Sequence, residues 1–384
     1  MSHPVDSQPI ATAGRVVIIG SGLLGTSIAL LLRSKQVEVF LHDVSPVSLA
    51  LACDLGGGEP VHPHYEDENW RASIALVVVA VPPDVTASVT IDALQAYPNA
   101  VVTDVASVKA PILEAVLASD ADQRRYVPSH PMAGRERSGA SAADQDLFRG
   151  RPWVVISHPS ASRHALLTVR DLALDCGASV VNLDGNSHDQ AVALISHVPQ
   201  LVSSLLAARL VGAPEEALGL AGQGLRDTTR IANSDPRLWT SIICGNRGPI
   251  AEVLKGFAAD LQTLIAGLEA PAQPEFIDPI AAPACVGAVN AAMQAGNDGA
   301  ARIPGKHGGA PRRWAVVAVL VPDKPGELGR LFTDVGAVGV NIEDFSMDHS
   351  AYQKVGTAYL SVDPAQASEA ERELSQRGWR IAKQ

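Results

Sequence analysis

Residues 15–25, Arg15-Val16-Val17-Ile18-Ile19-Gly20-Ser21-Gly22-Leu23-Leu24-Gly25, decide the fold. A short apolar run ends in glycine, and an apolar patch at helical spacing, residues 28–32, follows it. A strand that passes into a helix through Gly-x-Gly-x-x-Gly uses its three glycines differently. The first makes the tight turn, the second lets backbone approach a pyrophosphate, and the third lets the helix pack against the strand. The helix start also presents unbonded N–H groups to a phosphate. Gly20, Ser21, Gly22, Leu23, Leu24 and Gly25 are therefore expected to form a dinucleotide site.

The next apolar run, 37–41, ends at His42-Asp43. A carboxylate at that strand end accepts a hydrogen bond from a ribose 2′-OH and repels a 2′-phosphate. Asp43 thus favours NAD over NADP, and the next arginine is as far away as Arg71. Further buried strands are read at 74–81, closed by Pro82-Pro83, and at 100–104, with Val81 expected beside the cofactor. Runs at 153–157 and 179–183 are expected to extend the same sheet. Strands alternating with helical segments imply an α/β, doubly wound, Rossmann-type sheet over residues 14–185.

Past residue 187 the period changes. Val192, Ile195, Val198, Val202, Leu205 and Leu206 fall at helical spacing, with Ser187 placed to cap the run and Pro199 to kink it. Helical patterns continue at 214–225, 236–244, 249–268 and about 279–295, giving an all-α domain over 186–295. Residues 296–311 are rich in Gly and Pro and read as a flexible linker. From 312 to 384 the order is strand 314–321, helix 325–335, strand 340–347, strand 355–362, helix 365–377 and strand 379–382. That is the βαββαβ, ferredoxin-like arrangement.

At 384 residues the chain has room for two or three domains, and 47% hydrophobic with 18% charged residues is ordinary for a globular protein. A net charge of −11 argues against an extended nucleic-acid surface. Cys53, Cys176, Cys244 and Cys285 are widely spaced and form no CxxC pair, so reduced thiols in a cytoplasmic protein are expected, with no metal site. Residues 1–13 lack the apolar core of a secretory signal, and the longest purely apolar run, 74–81, is far too short for a membrane span.

Three blocks carry chemistry. Asp104-Val-Ala-Ser107-Val-Lys109 follows a buried strand, where residues line the cofactor crevice. Ser107 is placed either to face the nicotinamide or to cap the helix starting near Pro111. His130, in Ser129-His-Pro-Met-Ala-Gly134, stands at the end of a strand, and an unperturbed pKa near 6.5 suits imidazole to take a hydroxyl proton. Arg226 and Arg230 lie four apart and share a helix face, a local cationic pair suited to a carboxylate.

Together GSGLLG (20–25), DVASVK (104–109), SHPMAGRERSG (129–139), SHVPQ (196–200) and GLRDTTRIANSDPRLW (224–239) resemble the prephenate dehydrogenases of tyrosine biosynthesis. The resemblance implies NAD-dependent oxidative decarboxylation of prephenate to 4-hydroxyphenylpyruvate. It implies that His130 accepts the ring-hydroxyl proton, Ser107 orients His130 and cofactor, Arg230 holds a substrate carboxylate and His197 faces the substrate. Glu136, Arg226 and Asp227 fall at the positions of an ionic gate, and two helical domains interlock as a homodimer. Gln200 stands where another residue such as His is common, which leaves arogenate open as the substrate. The stretch Val321-Pro-Asp323-Lys-Pro-Gly326-Glu327-Leu328, with Asn341-Ile342, resembles an ACT domain. It implies an aromatic amino-acid effector, tyrosine first, bound near Asp323, Gly326, Glu327, Leu328, Asn341 and Ile342. Two other readings are weaker. A β-hydroxyacid dehydrogenase relies on a lysine in its helical domain, and the only lysine between 110 and 305 is Lys255, outside a matching motif. A non-catalytic amino-acid sensor has no use for so complete a set of site residues.

Overall fold

The computed structural model describes residues 10–61, 67–135, 139–270, 283–304, 314–349 and 355–382. Packing divides the chain into two compact units, Met1–Ser204 with Ile231–Lys255, and Leu205–Arg230 with Gly256–Gln384. These boundaries differ from the three domains read in the sequence. Residues 186–204 and 231–255 join the first unit because buried polar bonds, described below, tie them to the nucleotide fold.

In the first unit, β1 (Arg15–Ile19), β2 (Val39–His42), β3 (Glu59–Pro60), β4 (Ile74–Val79) and β5 (Val101–Asp104) form a parallel sheet in the order β3-β2-β1-β4-β5. Helices cover both faces, so the central strands β1 and β4 are apolar on both faces. Val16 and Ile18 of β1 enter one core with Ile28 and Leu32 of α1 (Leu23–Ser34) and Val169 and Leu172 of α6 (Arg163–Asp175). Val17, between them, enters the other core with Val77 and Val79 and with Ala93 and Leu94 of α4 (Pro83–Ala96). The strand order reverses between β1 and β4, and the crevice beyond their carboxyl ends is where such sheets bind ligands.

The next strands depart from the sequence reading. β6 (Ser129–Pro131), β7 (Pro152–Ile156) and β8 (Ser179–Leu183) form a separate sheet, in which β6 runs antiparallel to β7, and β7 parallel to β8. α6 crosses over between β7 and β8 and permits a parallel return. The 132–151 connection carries no such helix among its described residues, only a short 3-10 turn, Ala140–Ala142. Val127 N–H donates to the Val102 carbonyl at 3.0 Å and links the second sheet to β5.

The helix at 187 also starts differently. α7 (Gly185–Val192) is capped by Asp184, whose carboxylate accepts from Ser187 N at 2.9 Å and from Ser187 Oγ at 2.6 Å. Ser187 therefore donates to the cap and is not the cap itself. The run widens into a π turn, Ala193–His197, and continues as α8 (Val198–Ala208). Pro199 lacks an N–H and its ring would strike the carbonyl four residues back, so the wider turn before it replaces the expected kink. The whole run Gly185–Ala208 is long and apolar enough, by length and composition, to cross a membrane. It nevertheless carries His188, Asp189 and His197 buried within the protein. α11 (Pro236–Gly245) and the start of α12 (Arg247–Glu269) complete this unit.

The second unit holds α9 (Glu215–Leu218), α10 (Gln223–Thr229), the rest of α12 and α13 (Pro283–Ala300). α13 continues five residues into the stretch read as linker, where Gln294 Nε2 donates to Asp298 Oδ1 at 2.8 Å, a helical i,i+4 pair. The C-terminal part has the order β9 (Ala315–Pro322), α14 (Glu327–Ala337), β10 (Asp344–His349), β11 (Val355–Val362), α15 (Pro364–Gln376) and β12 (Arg380–Ile381). Its sheet runs β10-β11-β9-β12, all neighbours antiparallel, over a core containing Val317, Val319, Leu331, Leu360 and Trp379.

Candidate active site

The glycine turn is built as its spacing demands. Gly20 has φ +103°, and a Cβ there would lie 2.3 Å from the Ala80 carbonyl oxygen. At Gly25 a Cβ would lie 1.9 Å from the Gly20 carbonyl oxygen, so only glycine lets α1 approach β1 and β4 this closely. Gly22, the N-cap of α1, has nothing within 4 Å of its Cβ position and faces open space. The open edge of Gly22 and the free N–H groups of the first turn of α1 form a cradle that fits a pyrophosphate. Asp43 sits beside the turn. Its Oδ2 accepts from Ser21 N at 2.6 Å and Ser21 Oγ at 2.7 Å, and its Oδ1 from Ser45 N at 2.7 Å.

A cavity of about 830 Å³ opens from this turn. Gly22, Leu23, Leu24, Val81, Ser107, His130 and His197 all line it. Its floor comes from the ends of β1, β4 and β5, and its opposite wall from Ile195 and Ser196 of the π turn and Leu238 and Trp239 of α11. Trp239 meets His197 edge-on, ring centroids 6.2 Å apart. The π turn thus brings Ile195, Ser196 and His197 together to the cavity.

His130 is held from behind by buried polar groups. The preceding Ser129 bonds Thr103 Oγ1 at 3.0 Å and donates to the Asp104 carbonyl at 2.9 Å. Lys109, fully buried, pairs with Asp104 and donates to the Ser129 carbonyl at 2.8 Å. Tyr126 donates its hydroxyl to Asp104 Oδ2 at 2.6 Å. Burial pulls the Lys109 ammonium below its usual range, against the opposing pull of Asp104. Burial, and then Asp104, raise the Tyr126 phenol well above its usual range.

The His130 ring itself bonds another histidine. His130 Nδ1 lies 2.8 Å from His188 Nε2, and His188 Nδ1 lies 2.7 Å from Asp189 Oδ1. The Asp189 carboxylate also accepts the backbone N–H groups of Lys109 and Ala110, each at 2.8 Å, and so caps α5 (Ala110–Leu117) from another helix. Burial first, then His188, Lys109 and His197, push the His130 imidazole well below its ordinary 6.5. His130 is therefore neutral at neutral pH and has proton-accepting capacity. His197 is depressed to about 4 by burial and by His188, with Asp189 opposing. Its Nδ1 lies 3.0 Å from Asn246 Nδ2, which also donates to the Asp189 carbonyl at 2.7 Å.

The structure gathers the glycine turn, Val81, Ser107, His130 and His197 around one cavity. It gives the orienting bond on His130 to His188, while Ser107 lines the wall beside it, and the cap of α5 comes from Asp189 rather than Ser107. Arg226 and Asp227 lie on α10, where Gln223 Nε2 donates to Asp227 Oδ1 at 2.8 Å, and Arg230 opens the 3-10 turn that follows. All three belong to the second unit, whereas every residue named as lining the cavity belongs to the first. Glu136 lies outside the described residues. Gln200 is buried, donating to the Ile231 carbonyl at 2.8 Å, so its amide pins the turn after Arg230. Asp323 and Gly326 lie in the β9–α14 turn, Glu327 and Leu328 open α14, and Asn341 and Ile342 precede β10 instead of lying within it.

Sequence reasoning missed Lys109, His188, Asp189, Asn246 and the cavity-lining Arg135 and Arg237. The signal for the first was present, a lysine five residues after a strand-end aspartate. His188-Asp189 and Asn246 carried no such signal, because their partners are 58, 80 and 49 residues away in the chain.

Residues 28–182 match the family model described as prephenate dehydrogenase, nucleotide-binding domain, and residues 184–281 match the one described as prephenate dehydrogenase, dimerization domain. NovF of Streptomyces niveus, described as "Probable prephenate dehydrogenase", is 35% identical over 366 residues, covering 94% of this chain and 98% of that protein. The cyclohexadienyl dehydrogenase of Zymomonas mobilis is 29% identical over 256 residues, covering 65% of this chain and 86% of that protein. The crystal structure of prephenate dehydrogenase from A. aeolicus, in complex with hydroxyphenyl propionate and NAD+, superposes with a TM-score of 0.63 at 25% identity, over 74% of this chain and 98% of that one. With a glycine-turn nucleotide cradle opening onto a cavity that holds a buried histidine, with both family models matched, and with one relative 35% identical over 94% of its length, the chain belongs to the prephenate dehydrogenase family.

Proposed function

We propose that the chain is an NAD-dependent prephenate dehydrogenase, converting prephenate to 4-hydroxyphenylpyruvate and CO2. The observation that carries this reading is His130, neutral and desolvated, in the cavity that opens from the glycine turn. NAD bound in the cradle supplies the hydride acceptor. His130 takes the proton of the ring hydroxyl as the hydride leaves the same carbon, and returns it to the oxygen of the aromatic product. General-base help of this kind is worth on the order of 10²–10⁴ in rate. Loss of the ring carboxylate as CO2 restores aromaticity and drives the reaction forward. The apolar walls from Val81, Ile195, Leu238 and Trp239 exclude water and seat the ring. His197 contributes a polar contact to the substrate. Ser107 is assigned to the nicotinamide side, and Asp43 to the ribose hydroxyls.

By resemblance, Arg230 holds a substrate carboxylate, and Glu136, Arg226 and Asp227 form an ionic gate. A homodimer is supported by the apolar row Phe257, Leu261, Ile265 and Leu268, exposed at helical spacing along α12. The C-terminal βαββαβ element is assigned as an ACT-type sensor of an aromatic amino acid. Support comes from Gly326, which starts α14 at φ +91° with open space at its Cβ position. The test is NADH formation by the full chain with prephenate or arogenate, each with NAD or NADP, and with or without tyrosine. Prephenate with NAD is expected to be the best pair, and tyrosine to inhibit. A strong preference for arogenate overturns the substrate, and a rate indifferent to tyrosine overturns the effector.

A further inference from the structure

We infer that Asp189 sets the protonation pattern of both cavity histidines, so that His130 presents a bare Nε2 to the cavity and His197 presents an Nε2–H. The Asp189 carboxylate is the fixed point of the network. It accepts three N–H groups, from Lys109, Ala110 and His188, and it sits at the positive end of α5. A carboxylate met by three N–H donors acts here only as an acceptor. His188 must therefore carry its proton on Nδ1. With that one ring proton, His188 has its lone pair on Nε2, 2.8 Å from His130 Nδ1. The His130 proton must lie on Nδ1, and the leftover nitrogen, Nε2, is a base.

The second branch leaves from the backbone of the same residue. The Asp189 carbonyl accepts from Asn246 Nδ2 at 2.7 Å, and the reverse amide orientation would set oxygen against oxygen. The second hydrogen of that amide nitrogen points to His197 Nδ1 at 3.0 Å, making this nitrogen an acceptor. The His197 proton therefore lies on Nε2. One residue thus gives the cavity one acceptor and one donor from chemically identical rings. Asp189, His188 and Asn246 are positioning residues. The same carboxylate docks α7 on the start of α5, so the proton pattern and the assembly of the cavity wall form together.

This inference rests on the proposed function only for what the base does; the tautomers themselves are independent of it. Long-range 15N–1H correlation of histidine rings in the labelled, full-length protein at neutral pH reads them directly, with signals assigned by His130→Asn and His197→Asn. The expected result is Nδ1–H on His130 and His188 and Nε2–H on His197. Nε2–H on His130, or both nitrogens protonated on His188, overturns the inference. In Asp189→Asn the amide oxygen stays toward Lys109 N and His188 Nδ1 while its NH2 meets Ala110 N, so the chain keeps its direction but loses its anion, and kcat is expected to fall on the order of 10²–10⁴-fold with NAD affinity kept. Because that variant can also lose the α5 cap, Asn246→Ala serves beside it. It should release the His197 tautomer and raise KM several-fold, while the His130 signals stay in place. An unchanged His197 spectrum in that variant counts against the second branch. Expected tautomers in a protein that does not oxidise prephenate would sink the proposed function and leave this inference standing. Turnover by a His130 carrying Nε2–H would do the opposite.

Discussion

Replacing either of two neighbouring glycines with alanine should damage the protein in opposite ways. At Gly25 the added Cβ would sit 1.9 Å from the Gly20 carbonyl oxygen and 3.1 Å from the Ala80 Cβ. The turn cannot swing away easily, because Gly20 N donates to the His42 carbonyl at 2.8 Å and Ala80 N to the Ile19 carbonyl at 2.7 Å. Overpacking of this kind costs about 1–3 kcal/mol. For a unit of this size that is a fall in Tm of roughly 2–12 °C. At Gly22 the Cβ meets nothing within 4 Å. Loss of a favourable N-cap costs roughly 0.5–1 kcal/mol, and the stiffer unfolded chain returns about 0.4–1 kcal/mol. Gly22→Ala should therefore melt close to the parent protein, yet its methyl group occupies the place where a pyrophosphate must come. NAD affinity should drop on the order of tenfold or more, about 1.4 kcal/mol or above. Thermal unfolding and calorimetric titration with NAD on both variants test the pair. Parent-like NAD affinity in Gly22→Ala would refute the placement of the cofactor against that open edge.

Two further outcomes follow from the buried histidines. Since burial, His188, Lys109 and His197 hold His130 well below 6.5, it stays a base as the pH falls, and the acid limb of kcat/KM should lie below pH 6.5; a limb at or above 6.5 contradicts this. His197 has a folded value of about 4 against 6.5 for the free ring, so the unfolded chain binds its proton first. Stability from this group is full above pH 6.5 and is lost as pH falls toward about 4, a change of about 3 kcal/mol. Urea unfolding of His197→Asn across that window should show a correspondingly smaller loss, and an equal loss would assign the acid sensitivity elsewhere.

The parts legible in the sequence are those whose signal is local. Gly20, Gly22 and Gly25 announce their turn because their spacing is local: Gly20 takes a positive φ, Gly25 packs on the Gly20 carbonyl, and Gly22 leaves the helix start open. His130 is marked by the strand pattern around it, although it lies in the middle of β6 and not at the strand end the sequence suggested. The antiparallel turn of β6 against β7 was not legible, since an apolar run does not record its direction. The same holds for His188 and Asp189, which read as polar residues in the first turns of a helix until folding sets them behind His130. The π turn ahead of Pro199 shows a local rule met in an unexpected way. The proline forbids a regular ladder, and the widened turn becomes part of the cavity wall instead of a break.

The central claim is that His130 removes a proton from the substrate in a site that binds NAD independently. It is tested most directly by measuring kcat with prephenate, and the Kd for NAD, in His130→Asn. In that variant kcat should fall on the order of 10²–10⁴-fold with a parent-like Kd. Near-parent turnover in that variant would contradict it.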